Sequence, residues 1–445
     1  MRGTGLSVYF GQFARPGGSA CLAFAFLLSM IGGRCALGYP LDGYEHTGIG
    51  RLESARRIQA GLDEGSKQPA GALLRMDQVG PRLLDRRDFE LPAADPEFTA
   101  QVVALLGANA DRYSIAVLDL SERDAPRYAE HRASELYNPG SVGKLAVALA
   151  WFQALADLYP EDTQARWRVL KETPVIADGV VVSDHHTVRR WDRQNQQLIR
   201  RPLHVGDTGT LLEFMDWMLS ASANAAASVL IEQGMLLQRF GAGYPAGPEA
   251  ERRFLQQTSK ADLNRSLAAF LQEPVGRNGL DPRQFRQGSF FTAGGKRLAS
   301  GTTSYTSARE LLSYLLRLEQ GRIVDEFSST EIKRLLYSTE RRIRYASSPA
   351  LYDAAVYFKS GSLFECAPEP DFACLQYHGN VRNLMNSVAI VESPAGAPRL
   401  FYLVALMSNV LRKNSAVDHQ TLATRIQRLI EKRHAESNAA QPADR

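Results

Sequence analysis

A helix that is apolar on every side must be buried on every side, and this chain carries one. Residues 142–155 read VGKLAVALAWFQAL. A stretch with no polar face belongs inside a large core, not on its surface. The polar groups at its start are Ser141 and Lys144. Three positions apart, they face the same side of one helical turn. Pro139-Gly140 precedes them, a pair that ends an extended segment and lets the chain turn. Ser141 therefore falls in the first turn, where free backbone N–H groups and the helix dipole favour developing negative charge. A lysine held there without solvent loses affinity for its proton and can take one from the serine.

Two further motifs follow in order. Ser222-Ala223-Asn224 comes directly after a helical stretch, Leu211–Leu219, and Lys359-Ser360-Gly361 closes the apolar run Ala354–Phe358. Together the three supply a nucleophile, a proton acceptor, a second hydroxyl to relay protons, a side-chain amide and a cation for a carboxylate. Acyl transfer from an activated amide needs that inventory.

Around the motifs the chain reads as mixed helix and strand. Residues 98–106 have helical spacing, and Tyr113–Leu120 (YSIAVLDL) is a strand by length and branching. A long, mainly helical middle follows. Ser307 with Glu310 forms a capping box for a helix that stops near Gly321. Residues 354–358, 387–391 and 400–406 are strands, the last a continuous apolar run suited to a central position. Residues 417–436 form a final helix with Leu422, Ile426, Leu429 and Ile430 at helical spacing. The order predicts an α+β fold: an antiparallel sheet assembled from both ends of the chain and flanked by helices, with an all-helical subdomain inserted.

The ends carry other signals. Arg2 and Arg15 precede an apolar stretch, Ala20–Gly33, and Ala36-Leu37-Gly38 is a small-x-small site. Residues 1–38 thus read as an export signal, with Tyr39 starting the mature chain in the periplasm or outside the cell. A membrane anchor is the alternative, although the stretch is short against the roughly 20 residues of a spanning helix. Residues 39–94 read as an N-terminal extension without visible chemistry, 95–436 as the main domain and 437–445 as a disordered tail. Cys21 and Cys35 fall in the signal, leaving Cys366 and Cys374, eight positions apart, to pair in an oxidising compartment. The formal charge is +4, and removing Arg2, Arg15 and Arg34 leaves about +1, no footprint for nucleic acid. Pairs such as Arg56-Arg57 and Arg341-Arg342 are expected on solvated faces. Asp184-His185-His186 with His204 is the one metal-like grouping. Neighbouring histidines rarely chelate one ion, so no metal and no cofactor is implied.

The three motifs, in this order and on these elements, resemble the serine penicillin-recognising enzymes, which include class A β-lactamases and D-Ala-D-Ala peptidases. Tyr137–Ala150 (YNPGSVGKLAVALA) resembles the nucleophile helix of class A. Residues 211–231 resemble its Ser-x-Asn region and 302–318 the helix after its Ω-loop. The resemblance covers about residues 95–434 and implies the β-lactamase/transpeptidase-like version of the α+β fold. It implies Ser141 as the acylated nucleophile, Lys144 as its base and Ser222 as the relay to the leaving nitrogen. Asn224 would hold the substrate's side-chain amide, and Lys359 and Ser360 its carboxylate. Beside Gly361, the backbone N–H of Ser362 would join that of Ser141 in an oxyanion hole. The implied substrate is a β-lactam or the D-Ala-D-Ala peptide it mimics, acted on by a monomer. A peptidoglycan peptidase and a degenerate cell-wall-binding protein are the alternatives.

The chain also departs from that pattern. Class A enzymes hydrolyse the acyl-enzyme with an Ω-loop Glu in a Glu-x-x-Leu-Asn pattern, absent between Asn224 and Ser307. Glu273 is the nearest candidate. Ala223 stands where the second motif has Asp, and Ser228 where an Asn supports the Glu. Near the expected carboxylate-binding arginine stand Met385 and Arg382.

Overall fold

The computed structural model describes residues 42–339 and 342–440. The export signal, Cys21, Cys35 and the Tyr39 start lie outside them, as do Arg341 and residues 441–445.

Five strands form one antiparallel sheet: β1 (Tyr113–Asp119), β2 (Arg127–His131), β3 (Ala355–Glu365), β4 (Arg382–Ser393) and β5 (Leu400–Asn409), in the spatial order β2-β1-β5-β4-β3. The sheet is therefore assembled from both ends of the chain, and β3 is an edge strand. β5 is buried on both faces, which explains its unbroken apolar sequence. Leu403, Ala405 and Met407 enter one core, while Tyr402, Val404 and Leu406 enter the other. Period-two alternation thus divides one apolar run between two cores. β3, β4 and β5 each run further than their apolar segments. In β3 the added residues are Lys359 to Glu365, where the Lys-Ser-Gly motif interrupts the apolar run before Leu363 and Phe364.

Ten of the helices position the rest: α1 (Gly50–Gln59), α2 (Pro96–Leu106), α3 (Lys144–Leu158), α4 (Leu211–Leu219), α5 (Asn224–Phe240), α6 (Lys260–Arg277), α7 (Ala293–Leu298), α8 (Ala308–Glu319), α9 (Glu326–Tyr337) and α10 (Ser415–Ala440). α2 and α10 supply residues to the smaller core, and α3 to α6, α8 and α9 to the larger. The α10 helix continues through residues 437–440, which the sequence reading assigned to a disordered tail. α3, with its 3₁₀ lead-in from Gly140, is long and apolar enough to cross a membrane, but it lies buried in protein. Its Trp151 is fully enclosed, and the indole N–H donates to Leu230 O at 2.8 Å.

The inserted subdomain is not all helical. A hairpin pairs Thr187–Asp192 with Gln197–Pro202. Its strands escape pattern reading because Val188 is their one buried residue, so no alternation marks them. The capping box at α8 forms by half. Ser307 Oγ accepts from Glu310 N, but the Glu310 carboxylate takes the N–H of Asp281 at 2.7 Å instead. Arg342, expected on a solvated face, is buried and donates to the carbonyls of Leu351 and Ala354.

Residues 42–92 pack on the main domain through buried charge. Arg51 on α1 makes a two-pronged ion pair with Asp216 on α4, both side chains fully enclosed. Arg82 reaches Glu392 on β4, which also binds Lys333 on α9 at 2.7 Å. Cys366 and Cys374 form a disulfide in the loop after β3.

Candidate active site

The three motifs meet where the turn leading into α3 lies against edge strand β3. Gly361 allows that approach. A Cβ there would stand 2.5 Å from Pro139 O and 2.6 Å from Ser141 N, closer than any side chain tolerates. Ser222 sits with φ at +63°, a left-handed conformation that costs a non-glycine residue about 1–3 kcal/mol and marks functional turns.

Lys144 is completely buried, and its ammonium has three acceptors: Ser141 Oγ at 2.7 Å, Ser222 O at 2.9 Å and Asn224 Oδ1 at 2.7 Å. The Phe291 ring covers it, with Nζ 4.7 Å from the ring centre. Burial lowers its pKa to about 7. The Asp184 carboxylate opposes the shift and the Arg344 guanidinium adds to it. At neutral pH a large fraction is therefore the free amine, whose lone pair can accept the Ser141 hydroxyl proton over the same contact.

Lys359 is buried too and donates to Ser222 Oγ at 2.8 Å and to Ser360 O at 2.9 Å. Burial, then Lys144 and Arg344, push its pKa well down. Two ammonium groups and a guanidinium in one desolvated site favour losing a proton or gaining an anion.

Arg344, which no motif in the sequence points to, stands beside Ser360 and Ser362 and lines the same cavity. It donates to Ser360 Oγ at 2.6 Å and Ser362 Oγ at 3.1 Å, and its guanidinium lies 4.7 Å from the Tyr377 ring centre. It comes from the loop before β3, with φ at +57°. Arg382 instead faces Glu365 across the ladder, and Met385 is fully buried. Neither lines the cavity that holds Ser141.

Glu273 does not belong to this cavity either. It is exposed on α6 and lines a separate depression with Asp157 and Arg277. The loop beside Ser141 presents Gln287, 3% exposed, whose Nε2 donates to Ser289 O at 2.7 Å. That bond fixes the amide's orientation and directs Oε1 toward Gly143, where a Cβ would collide with it. Ser228 anchors the same loop, accepting from Thr292 Oγ1 at 2.9 Å and Phe291 N at 3.3 Å. Asp184 is spent on structure. Oδ2 accepts from Ala225 N at 2.8 Å, next to Asn224, and Oδ1 meets His186 Nδ1 at 2.6 Å. His204 lies beside Arg201.

The cavity has a volume of about 720 Å³. Ser141, Ser222, Asn224, Lys359, Ser360 and Ser362 all line it, and no Asp or Glu is found among its described lining residues.

An antiparallel sheet with a Ser-x-x-Lys helix against its edge defines a class of serine acyl-transfer folds. The model of the Beta-lactamase enzyme family matches residues 97–430, and the chain belongs to that family. Among solved structures it is similar to PBP-A, at 15% identity over 77% of this chain and 100% of that one, with a TM-score of 0.46. A class A β-lactamase from Bacteroides cellulosilyticus gives 15% identity, 76% and 98% coverage and a TM-score of 0.47. A β-lactamase from Chitinophaga pinensis gives 15%, 76% and 98%, and 0.46. No curated protein matches the chain.

Proposed function

We propose that this protein is an exported serine hydrolase that forms an acyl-enzyme with β-lactams. The observation that carries the reading is the 2.7 Å contact between Ser141 Oγ and a fully buried Lys144 whose pKa is near neutrality. Neutral Lys144 takes the hydroxyl proton as Ser141 Oγ attacks the lactam carbonyl. The backbone N–H groups of Ser141 and Ser362 receive the oxyanion. Ser222 Oγ gives its proton to the departing nitrogen as the C–N bond breaks, and takes one in return from the Lys359 ammonium that donates to it. Asn224 Oδ1 faces Lys144, so its Nδ2 is the end that binds the acyl amide. Lys359, Ser360 and Arg344 take the substrate carboxylate, which restores the charge that burial disfavours on Lys359. The D-Ala-D-Ala terminus of a peptide presents the same groups, and peptidase action on peptidoglycan is the second reading. The absence of Asp and Glu from the described lining residues supports it, because a β-lactam acyl-enzyme without such a base persists and the lactam then inhibits instead of turning over.

Intact mass after incubation with benzylpenicillin is expected to show one adduct, on the peptide containing Ser141, and none in Ser141→Ala. No adduct at millimolar ligand over hours would overturn the acylation reading and leave a cell-wall-binding protein.

Acylation should also depend on pH in one direction. Lys144 acts as a base only when neutral. Below about 7 the acylation rate should therefore fall about tenfold per pH unit, and above it level off. A rate flat from pH 5 to 8 would remove Lys144 from the base role.

A further inference from the structure

We infer that the cavity binds a substrate with two anionic ends: the carboxylate on the leaving-group side and a second acidic group on the acyl side chain. This rests on the acylation reading above and adds the substrate class.

The argument begins with where the cavity extends. One end is the Lys359, Ser360 and Arg344 cluster. The other lies past Asn224. Asp184 bonds the backbone next to Asn224, and Ser183 Oγ accepts from Ala293 N at 2.8 Å. The segment after Asp184 and helix α7 therefore meet at the Asn224 end. Arg200, on the second strand of the hairpin, is tied to that segment by Nε donating to Thr187 Oγ1 at 3.0 Å. Lys296 stands on α7. Both are exposed and line the same cavity as Ser141.

Exposed cations are ordinary on a protein surface, and most carry a counter-charge nearby. The hairpin shows the contrast. Arg190 and Arg201, on either side of it, are both paired with Asp207. Arg200, the hairpin arginine that lines the cavity, has no ion pair among the described residues, and neither has Lys296. No Asp or Glu stands among the described lining residues, and the nearby Asp184 carboxylate is engaged by Ala225 N and His186. A concave, one-signed surface focuses its field on an incoming anion. A guanidinium and an ammonium from separate elements suit a carboxylate, the first by its planar fork and the second as a point charge. Since the acyl amide is held at Asn224, the group reaching them is the acyl side chain.

The test compares one cephalosporin nucleus acylated with glutarate, which ends in a carboxylate, or with pentanoate, which does not. Acylation of the wild-type protein should be at least about tenfold faster with the glutaryl compound at low salt. The ratio should fall toward one in Arg200→Gln/Lys296→Gln and in 0.5 M salt. Equal rates in the wild type, or a ratio unmoved by the double variant, would overturn the inference. Calorimetric binding of the two compounds to Ser141→Ala separates this from failure of the acylation reading. Tighter binding of the glutaryl compound, lost in the added double variant, supports the subsite even without acylation. Equal binding, or none, overturns it.

Discussion

Gln287→Glu is expected to convert a protein that traps an acyl group into one that turns over, raising deacylation by about 10²–10⁴-fold. With nitrocefin the wild type should give a burst of one equivalent and then slow release. The expectation follows from the loop beside the nucleophile. Gln287 is buried, its amide is fixed by Ser289 O, and its Oε1 packs on Gly143, two residues from Ser141. An amide carbonyl accepts hydrogen bonds but cannot carry off a proton at neutral pH. Hydrolysis of the ester needs a group that does, and no carboxylate is found among the described cavity residues. A carboxylate at 287 would supply the base where the loop already holds an acceptor. Glu273→Gln should change nothing, because Glu273 is exposed in another depression. Fast multiple turnover by the wild type would show that a different base operates. A Gln287→Glu protein that still acylates but releases no faster would remove position 287 from deacylation.

How much of this could be read from the sequence depends on where each group's chemistry shows. Ser141, Lys144 and Ser222 were legible because each lies in a three- or four-residue motif beside a recognisable element. The buried character of α3 was legible because nothing polar interrupts it. Arg344 was not. It acts through tertiary placement, reaching Ser360 and Ser362 from a loop with left-handed backbone, and no spacing announces that. Arg342 defeated the rule that paired charges face solvent, because two backbone carbonyls satisfy its guanidinium internally. Gln287 is chemically silent, so nothing in the sequence signalled that a buried amide stands beside Ser141. The Lys359 motif hid the length of β3, since an edge strand that carries a site gives up its apolar pattern.

Asp216→Ala should destabilise the protein by about 3–5 kcal/mol, the usual result of removing one partner from an enclosed ion pair. The Arg51 guanidinium is bound by both Asp216 oxygens and donates to Ser338 O at 2.6 Å, with no exposure on either side chain of the pair. Without the carboxylate the enclosed guanidinium loses the anion that neutralises it. Replacing both residues together, as Arg51→Met/Asp216→Leu, should cost much less, because no charge is then stranded. The helix that carries Asp216 also leads into the site. Asp216 O accepts both the backbone N–H of Ser220 at 2.7 Å and its hydroxyl at 2.6 Å, so α4 is held at the point where the chain turns into Ser222. Urea unfolding of the two variants should therefore separate stability from function. The single variant should lose midpoint without a change in slope. The double variant should recover most of the midpoint and acylate at close to the wild-type rate if the apolar pair holds α4 in register. A single variant as stable as the wild type would show that residues 42–92 contribute nothing to folding through this contact. A stable double variant with slow acylation would show that the charge pair itself sets the position of Ser222.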